Sequence, residues 1–346
     1  MDYSISVTIA ISVYNVEKRI SDTLKSCLEQ DFEEYEIIVI DDKGSDKSIE
    51  LVNEIMQENS RGNLIRIIDH KVNKGTGATR NTAIKNAKGK YIFFLDGDDE
   101  ITPNCISLLY KKMEQSNSDV IVSSYVQENL TNKQQQIQQY PELVIESNYQ
   151  LIQYIYYDKN HFTPALWNKL YSIDFLRRND IRCVDHHLTE DQIFSFQIIL
   201  LANKVTFCSD ITYIYKEYQN STMNLIANLN FSIRLCNEYI EIINFKKQAI
   251  STHLDKYPLL LFNILGESIY YASIISNGNN IKKDDKRRYV REITSADFPL
   301  NLLLGNKTSV FKSFFYVITC KLYFPIRYIL IKHIFYNYFK FKLKRA

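Results

Sequence analysis

Acidic residues gather where two predicted strands end. The segment 96–99, Asp-Gly-Asp-Asp, directly follows the apolar run 91–95, and the pair 41–42, Asp-Asp, follows the run 35–40. Three neighbouring carboxylates repel one another unless a cation neutralises them. Carboxylate oxygens suit Mg²⁺ or Mn²⁺, which are usually shared with substrate phosphates. The alternative is that these acids are ordinary loop residues or cap the next helix.

A second acidic pair, Glu190 and Asp191, stands at the start of a helix predicted over residues 191–201. The positive end of a helix holds a carboxylate ionised, as a general base must be. The alternative is that both acids only stabilise the helix terminus. His186 and His187 precede the pair. Adjacent side chains on an extended segment point in opposite directions, so we do not expect the two histidines to share a metal ion.

The first 126 residues alternate apolar, β-branched runs with helical patterns. Predicted strands cover residues 5–13, 35–40, 64–69, 91–95 and 119–126, and predicted helices cover 21–29, 46–58, 78–87 and 103–115. This alternation is typical of βαβ units that build a mostly parallel sheet. Ligands of such sheets bind beyond the carboxyl ends of the strands, where both acidic groups are predicted to lie.

Regularity weakens in the second part of the chain. The Asn- and Gln-rich residues 129–139 predict a surface loop. We predict helices at 147–157, 173–179 and 191–201, strands at 205–208 and 213–218, and a helical region at 231–276. The polar residues 277–280 and the charged residues 282–291 predict a connection.

Length and composition exclude several classes of protein. A chain of 346 residues has room for one large domain with an appendage, or for two domains. Its 45% hydrophobic and 24% charged residues argue against disordered, collagen-like and polytopic membrane proteins. Six dispersed cysteines without C-x-x-C spacing indicate neither a disulfide framework nor a zinc ribbon. Residues 1–15 lack a secretory signal pattern, so we expect a cytoplasmic protein.

Charge is distributed unevenly along the chain. Residues 311–346 hold eight Lys/Arg and no Asp/Glu, which leaves residues 1–310 with 34 basic and 40 acidic side chains. A body with a net charge of −6 lacks the basic face that phosphate neutralisation requires. We therefore do not expect nucleic acid as a partner.

The tail, residues 311–346, also holds twelve aromatic residues. Its longest uncharged run has eight residues, whereas roughly 18 to 20 are needed to span a bilayer. Basic residues mixed with Tyr and Phe predict an interfacial segment on an anionic leaflet. A helical wheel, however, scatters Arg327, Lys332, Lys340 and Lys342. The alternative is a pair of C-terminal helices that pack on the body.

Two common nucleotide motifs are absent. The turn after the first predicted strand, Tyr-Asn-Val-Glu-Lys at 14–18, has no glycine, which excludes the dinucleotide-binding G-x-G-x-x-G motif. The P-loop pattern G-x-x-x-x-G-K-[ST] is also missing. Gly75 and Gly77 follow the third predicted strand and on their own are no more than a helix-entry turn. Hydride transfer and NTP hydrolysis are therefore not predicted.

Four ordered motifs resemble those of the family-2 glycosyltransferases. They are SVTIAISVYN at 6–15, like the opening strand; EIIVIDDKGS at 36–45, like "IIVVDDGS" with Lys43 inserted; NKGTGATRN at 73–81, like "N-x-G-x-x-x-A-R-N"; and KYIFFLDGDD at 90–99, like "YI-x-FLDSDD". LTEDQIF at 188–194 is similar to the family's "ED-x-x-F" element. Trp167, Lys169 and Tyr171 resemble a "W-x-K-L-Y" element of polysaccharide-type members, although Trp167 fits core packing equally well.

This resemblance implies an α/β fold of the GT-A type, in which a Rossmann-like, mostly parallel sheet is flanked by helices. We predict a glycosyltransferase domain over residues 1–225, with a nucleotide-sugar-binding half at 1–126 and an acceptor half at 127–225. A helical extension at 226–310 and the basic aromatic tail at 311–346 follow.

The resemblance also implies a donor site. Its residues would be Ser12, Val13, Tyr14, Glu17, Asp41, Asp42, Arg80 and Asp96. Val13, Tyr14 and Glu17 would line the base and ribose, and Asp42 would hydrogen-bond the base. Arg80 would orient the diphosphate.

The remaining implied roles concern a metal ion and a base. Asp98 would bind Mn²⁺ or Mg²⁺, with Asp96 beside it on the ribose side. Asp191 is the predicted general base, and Glu190 is its near alternative. Displacement by one activated hydroxyl inverts the anomeric centre, and the resemblance implies inversion as well.

The implied reaction moves a hexosyl or N-acetylhexosaminyl group from a nucleoside-diphosphate sugar, expected to be a UDP-sugar, to a glycan or lipid-linked glycan during surface polysaccharide synthesis. We expect the enzyme at the inner face of the cytoplasmic membrane, held there by the tail. One alternative is a non-catalytic glycan- or nucleotide-binding protein that retains the fold. A sugar nucleotidylyltransferase would need a glycine-rich loop after the first strand, which is absent.

Overall fold

A computed structural model of the chain describes residues 5–185, 189–218, 232–251, 257–278, 280–295, 316 and 318–343. The chain divides into two compact units, one formed by residues 1–155 with 160–221 and the other by 156–159 with 222–346. The histidine pair 186–187 and parts of the tail lie outside the described residues.

The first unit is built on a mixed sheet flanked by helices. Its strands are β1 Ile5–Val13, β2 Tyr35–Asp41, β3 Ile65–Asp69, β4 Gly89–Asp96, β5 Glu100–Ile101, β6 Val120–Asn129, β7 Gln135–Gln138, β8 Leu143–Ile145, β9 Lys169–Ser172 and β10 Val205–Glu217. Its helices are α1 Ile20–Leu28, α2 Ser48–Glu58, α3 Thr76–Asn86, α4 Cys105–Ser116, α5 Asn148–Ile152, α6 Ile173–Arg178 and α7 Glu190–Leu201.

Parallel pairing dominates the amino-terminal part of this sheet. The strand order is β3-β2-β1-β4-β9-β6-β10-β5, with β7 on β6 and β8 on β10. Strands β1, β2, β3 and β4 pair in parallel, and so do β6 and β10. Strand β9 lies antiparallel between β4 and β6 and joins the two parallel parts. The carboxyl ends of β1, β2 and β4 therefore meet at one edge.

Hydrophobic burial explains the pattern of the central strands. Every residue of β2 is buried, because helices cover both faces of the parallel part, and its sequence YEIIVID is correspondingly apolar. Helix α1 buries Ile20, Leu24, Cys27 and Leu28 at spacings of three and four. The predicted strands and helices of residues 1–126 are all present, with ends shifted by up to three residues.

Two predictions for residues 127–218 are wrong. Residues 129–139 are not only a loop, because β7 returns along β6 as a hairpin. The two strands predicted at 205–208 and 213–218 are one strand, β10, whose register against β6 shifts between Cys208 and Tyr213. The bulge breaks the alternation of side chains and hides the continuity of the strand from the sequence.

The second unit is helical. Its helices are α8 Ile233–Ile250, α9 Pro258–Asn277, α10 Lys283–Ile293, α11 Phe324–Ile329 and α12 Tyr336–Leu343, with a π-helical segment at Leu330–Phe335. Helix α10 replaces the predicted polar connection, because Tyr289, Val290 and Ile293 form a buried stripe on an otherwise charged helix. Within the described residues, no helix has the length and apolar character needed to cross a membrane.

Lys169 in β9 is a charged side chain in the core of the first unit, with 1% of its surface exposed. Its Nζ donates to Thr163 O at 3.1 Å, Ala165 O at 2.7 Å and Asn168 Oδ1 at 3.0 Å. Burial lowers the pKa of Lys169 to about 7, although the charge of Asp191 opposes this shift. Lys169 thus fixes the loop that precedes β9.

Gly89 allows β1 and β4 to approach closely. A Cβ at this position would lie 2.5 Å from Thr8 N and 2.7 Å from Val7 C, both in the backbone of β1. We expect Gly89→Ala to lower the free energy of unfolding by about 1–3 kcal/mol, because backbone atoms must move. Urea denaturation measures this, with the exposed neighbour Lys88→Ala as a control within about 0.5 kcal/mol of wild type. Equal effects of the two substitutions would contradict the packing argument.

Lys169 gives a pH-dependent prediction. Its pKa is lowered in the fold, so between about pH 7 and pH 10 the unfolded chain binds more protons than the folded chain. The free energy of unfolding of the wild type should therefore rise with pH relative to that of Lys169→Met. Urea denaturation at pH 6, 7.5 and 9 measures the difference, and the exposed Lys111→Met should follow the wild type. A constant difference between wild type and Lys169→Met would refute the prediction.

Candidate active site

The ends of β1, β2 and β4 form the floor of the candidate site. Ser12 pairs in register with Asp96, and Val13 with Asp41, so residues far apart in sequence become neighbours. Val13 is buried, whereas Tyr14 directly after it is 51% exposed. The Ser12 hydroxyl lies 2.6 Å from the Thr79 hydroxyl of α3. Tyr14 therefore presents an open aromatic face at this edge.

The loops after β1 and β2 are tied to each other. Glu17 N donates to Asp46 Oδ2 at 2.8 Å, and Lys47 N donates to Glu17 Oε2 at 3.1 Å. Asn15, which has a φ of 54°, accepts from Ser45 N at 2.7 Å. These bonds hold Glu17 between the two loops, so its carboxylate supports the predicted donor site from the side.

Asp42 organises the loop that leads into α3. Its Oδ1 accepts from Lys74 N at 2.9 Å and faces His70 Nδ1 at 2.7 Å, and its Oδ2 accepts from Gly75 N at 2.8 Å and Asn73 Nδ2 at 3.0 Å. A carboxylate has about four acceptor positions, and all four of Asp42 are used. The predicted hydrogen bond from Asp42 to a nucleotide base therefore has no acceptor left in this arrangement.

Both acids of the pair are buried, but Asp41 accepts fewer hydrogen bonds from the protein than Asp42 does. Its two oxygens accept from the backbone N and the Nζ of Lys43, each at 2.8 Å. The Lys43 side chain is 42% exposed and is held by one further acid, Asp69, at 3.7 Å. A ligand can displace a flexible, exposed ammonium more readily than the backbone donors that surround Asp42.

Arg80 joins three elements of the site. From α3 its Nη2 donates to Asp96 Oδ1 at the end of β4, at 3.0 Å, and its Nη1 donates to Glu190 Oε1 at the start of α7, at 2.5 Å. Burial alone would lower the pKa of Arg80, but the charges of Asp96 and Glu190 raise it overall. Arg80 is buried and engaged by two carboxylates, and its contact with the diphosphate stays a prediction.

The three acids of segment 96–99 point in different directions. Asp96 turns to Arg80, Asp98 Oδ2 accepts from the Tyr218 hydroxyl at 2.6 Å, and Asp99 accepts from the Tyr213 hydroxyl at 2.6 Å. Asp99 also accepts from Lys216 N at 2.7 Å and is buried. Asp99, which is not among the predicted metal ligands, therefore anchors β10.

Asp96 and Asp98 remain as possible metal ligands. Among the described residues, no group of three or more His, Cys, Asp or Glu side chains is arranged to hold a metal ion. Two carboxylates nevertheless fit Mg²⁺ or Mn²⁺ when substrate phosphates supply further oxygens. Burial and then the charge of Asp96 raise the pKa of Asp98, whereas the Tyr218 hydroxyl lowers it. A cation between Asp96 and Asp98 would relieve this repulsion.

The acidic start of α7 is brought to the site by α3. Asn81 of α3 pairs with the backbone of Cys183 in both directions, each bond 2.9 Å long. A Cβ at Gly77 would lie 2.2 Å from Val184 O, so glycine permits this close contact. Cys183 and Val184 are thereby held against α3.

Glu190 and Asp191 differ in their surroundings. Glu190 is buried and bonded to Arg80, whereas no side-chain hydrogen bond to the Asp191 carboxylate is present within the described part of the chain. Burial raises the pKa of Asp191, and the charge of Arg80 opposes the shift. Of the two acids, Asp191 has the carboxylate that can accept a proton from a ligand.

Sequence reasoning missed the aromatic residues of β10. Trp167 stacks on Tyr213 and Tyr215, with ring centroids 4.7 Å and 5.4 Å apart, and is 8% exposed. This favours the core-packing interpretation of Trp167. Arg19 Cζ lies 4.4 Å from the centroid of the Tyr218 ring, whose hydroxyl donates to Asp98. The tyrosines at 213 and 215 are two residues apart in the sequence, which indicates that they lie on one face of a strand. Their spacing does not indicate a contact with Asp98 or Asp99.

Proteins with similar sequences are named as glycosyltransferases. The chain is 27% identical over 309 residues to a Bacillus subtilis protein named "Uncharacterized glycosyltransferase EpsJ". The aligned residues make up 84% of each chain. It is 28% identical over 296 residues to the poly(ribitol-phosphate) beta-N-acetylglucosaminyltransferase TarS of Staphylococcus aureus, covering 83% of this chain but 48% of that protein. A poly(ribitol-phosphate) beta-glucosyltransferase of Bacillus spizizenii is 31% identical, with 60% and 32% covered.

Solved structures share the fold. The crystal structure of residues 1–349 of S. aureus TarS with UDP-GlcNAc has a TM-score of 0.56 at 19% identity, over 94% of this chain and 81% of that chain. A mannosyltransferase of Pyrobaculum calidifontis with GDP-Man and Mn²⁺ has a TM-score of 0.52 at 12% identity, over 98% and 91%. The predicted GT-A type α/β fold with a helical carboxyl-terminal region is confirmed.

The family assignment rests on the part of the chain that builds the floor of the site. Residues 8–179 match the family described as Glycosyl transferase family 2, and this range contains most of β1, all of β2 to β4 and segment 96–99 but ends before Glu190. Together with the curated relatives and the shared fold, this match establishes that the chain is a member of glycosyl transferase family 2.

Proposed function

We propose that this family member is an inverting glycosyltransferase that moves a hexosyl or N-acetylhexosaminyl group from a UDP-sugar to a glycan or lipid-linked glycan. The observation that carries the proposal is the Arg80 bridge, which places the end of β4 beside the acidic start of α7. Asp96, which would bind the donor, and Asp191, the candidate base, are thereby held at one edge of the sheet.

The donor nucleoside would bind over the ends of β1 and β2. Tyr14 offers an exposed ring for the base, Ser12 and Val13 would form the floor, and Asp41 would accept a hydrogen bond from the base or ribose. This assigns to Asp41 the contact first expected of Asp42, whose acceptor positions are filled by the loop that it organises. Glu17 and Arg80 would support the site without contacting the base.

The acceptor hydroxyl needs a base, because an alcohol is a weak nucleophile until its proton is removed. Asp191 would take this proton while the oxygen attacks the anomeric carbon from the face opposite the departing diphosphate. One new bond and one broken bond at that carbon invert its configuration. Glu190 would stay paired with Arg80 and hold α7 in place.

Asp98 and Asp96 would hold Mn²⁺ or Mg²⁺ together with oxygens of the diphosphate. When bound, such an ion supplies Lewis-acid stabilisation of the negative charge that develops on the leaving diphosphate. Tyr218 occupies Asp98 Oδ2 in this structure and would turn aside. Support for a metal comes from the Mn²⁺ in the structural neighbour from P. calidifontis.

The choice of UDP and of a surface glycan rests on relatives. The TarS neighbour was solved with UDP-GlcNAc, and the names of two relatives identify poly(ribitol-phosphate) as their acceptor. We propose an acceptor of this polymeric or lipid-linked type, at the inner face of the cytoplasmic membrane. The eight basic and no acidic residues of 311–346 support contact with such a surface.

The donor site is tested by nucleotide binding. We expect UDP and one UDP-sugar to bind in the presence of Mn²⁺, and Asp98→Asn to weaken this binding by about tenfold or more, because a metal ligand is lost. Isothermal titration with UDP, GDP and a panel of sugar nucleotides, with and without Mn²⁺, measures it. The exposed Asp31→Asn, which precedes β2 at the opposite end of the sheet, is the matched control.

Two other results of the titration would change the proposal. Metal-dependent binding of GDP in place of UDP would revise the donor but keep the transferase proposal. Failure of every nucleotide to bind with Mn²⁺ present would reject the transferase and favour a binding protein that retains the fold.

The base is tested by turnover. Asp191→Asn should lower kcat by about 10²–10⁴-fold and leave the Kd of the sugar nucleotide unchanged, because the base acts on the acceptor. Release of the nucleoside diphosphate from the sugar nucleotide, with detergent-extracted cell-envelope glycans as acceptor, measures kcat. Glu190→Gln should instead lower the melting temperature, since Arg80 loses a buried partner. Unchanged kcat in Asp191→Asn would exclude Asp191 as the base.

A further inference from the structure

The helix that ends the described chain exposes a row of large apolar side chains. It runs through α11, the π-helical segment and α12, and we call the exposed row the C-terminal stripe. Its members and their exposed fractions are Tyr323 75%, Ile326 52%, Ile329 60%, Ile334 54% and Tyr338 41%. Single exposed apolar residues are common, but five along one side of one helix mark an interaction surface.

The π-helical segment keeps the stripe on one side. Ile329 and Ile334 are five residues apart, a spacing that a regular α-helix would place on different sides. Hydrogen bonds in a π-helix run from residue i to i+5, so the segment Leu330–Phe335 aligns the two side chains. The remaining spacings, three and four residues, follow the ordinary helix repeat.

The opposite side of the same helix is already packed. Arg327, Ile331 and Phe335 are buried at intervals of four residues. Arg327 donates to Thr294 O at 3.2 Å and to Cys320 O at 2.5 Å, which fixes the helix in the second unit. The C-terminal stripe is thus a second apolar face on a helix whose core-facing side is complete.

Cations lie on the stripe-bearing helix and on its neighbour α10. Arg287 and Arg291 of α10 are exposed and lie 6.0 Å and 4.5 Å from the ring centroids of Tyr328 and Phe324 on the stripe-bearing helix. Lys321 and Lys340 are exposed near its two ends. Residues 282–293 add six Lys/Arg against three Asp/Glu, and residues 311–346 contain no acid. A symmetric contact with a second copy would bring these like charges together, which disfavours a dimer.

We propose that the C-terminal stripe docks the protein on an anionic lipid bilayer. The isoleucines would enter the boundary between headgroups and acyl chains, the tyrosines would lie at headgroup level, and the flanking Lys/Arg would contact lipid phosphates. The proposed function includes a location at the membrane, and this inference names the surface of the protein that would contact the lipid. It does not depend on the transferase chemistry.

Vesicle binding tests the proposal with the full chain and no sugar nucleotide. Co-sedimentation with phosphatidylcholine vesicles, with and without phosphatidylglycerol, should detect binding only to the anionic vesicles, and added NaCl should weaken it. Ile329→Glu and the double variant Ile326→Glu/Ile329→Glu should reduce binding by about tenfold or more, because a charge opposes insertion. Ile137→Glu is the matched control, since Ile137 is 61% exposed in the other unit.

Three outcomes would overturn the proposal. They are absence of wild-type binding to anionic vesicles, equal binding by wild type and the double variant, and a wild-type dimer in sedimentation velocity that the double variant converts to a monomer. The substituted side chains are exposed, so the melting temperature should be unchanged, and thermal unfolding verifies this. Nucleotide titration is independent of this assay, so failure of one proposal is separable from failure of the other.

Discussion

A buried arginine is the interaction on which the site depends. Arg80 donates to Asp96 and to Glu190, so one guanidinium joins α3, the end of β4 and the start of α7. Burying a charge is costly unless it is paired, and here two carboxylates share the charge of Arg80. The same pairing leaves Asp191, one residue further along α7, with a carboxylate that can act on a ligand.

Several polar residues of the site form hydrogen bonds with other parts of the chain. Asp42 holds the entry to α3, Glu17 ties the loops after β1 and β2, and Asp99 anchors β10 through Tyr213 and Lys216 N. Loops that carry function must be fixed in place, and their backbone donors need acceptors. Acidic residues in such motifs therefore divide into those that support the site and those that face it.

The C-terminal helix of the second unit has apolar side chains on both its buried side and its exposed side. One side of the C-terminal helix fills the core with Ile331 and Phe335, while the C-terminal stripe remains exposed. A wheel drawn with a regular repeat mixes these sides for two reasons. The π-helical segment shifts the phase, and Arg327 is buried rather than exposed.

The sequence by itself determined the order of strands and helices over residues 1–126, the family and its fold, because apolar periodicity and motif spacing are local properties of the chain. It did not reveal the β7 hairpin, the continuity of β10 or helix α10, because a bulge and a charged helix surface obscure the local pattern. Only tertiary structure decided which acids are engaged by protein donors, since the partners of Asp42 and Asp99 lie about thirty and more than a hundred residues away. Hydrogen bonds of that range depend on how the chain packs, and residue spacing does not encode them.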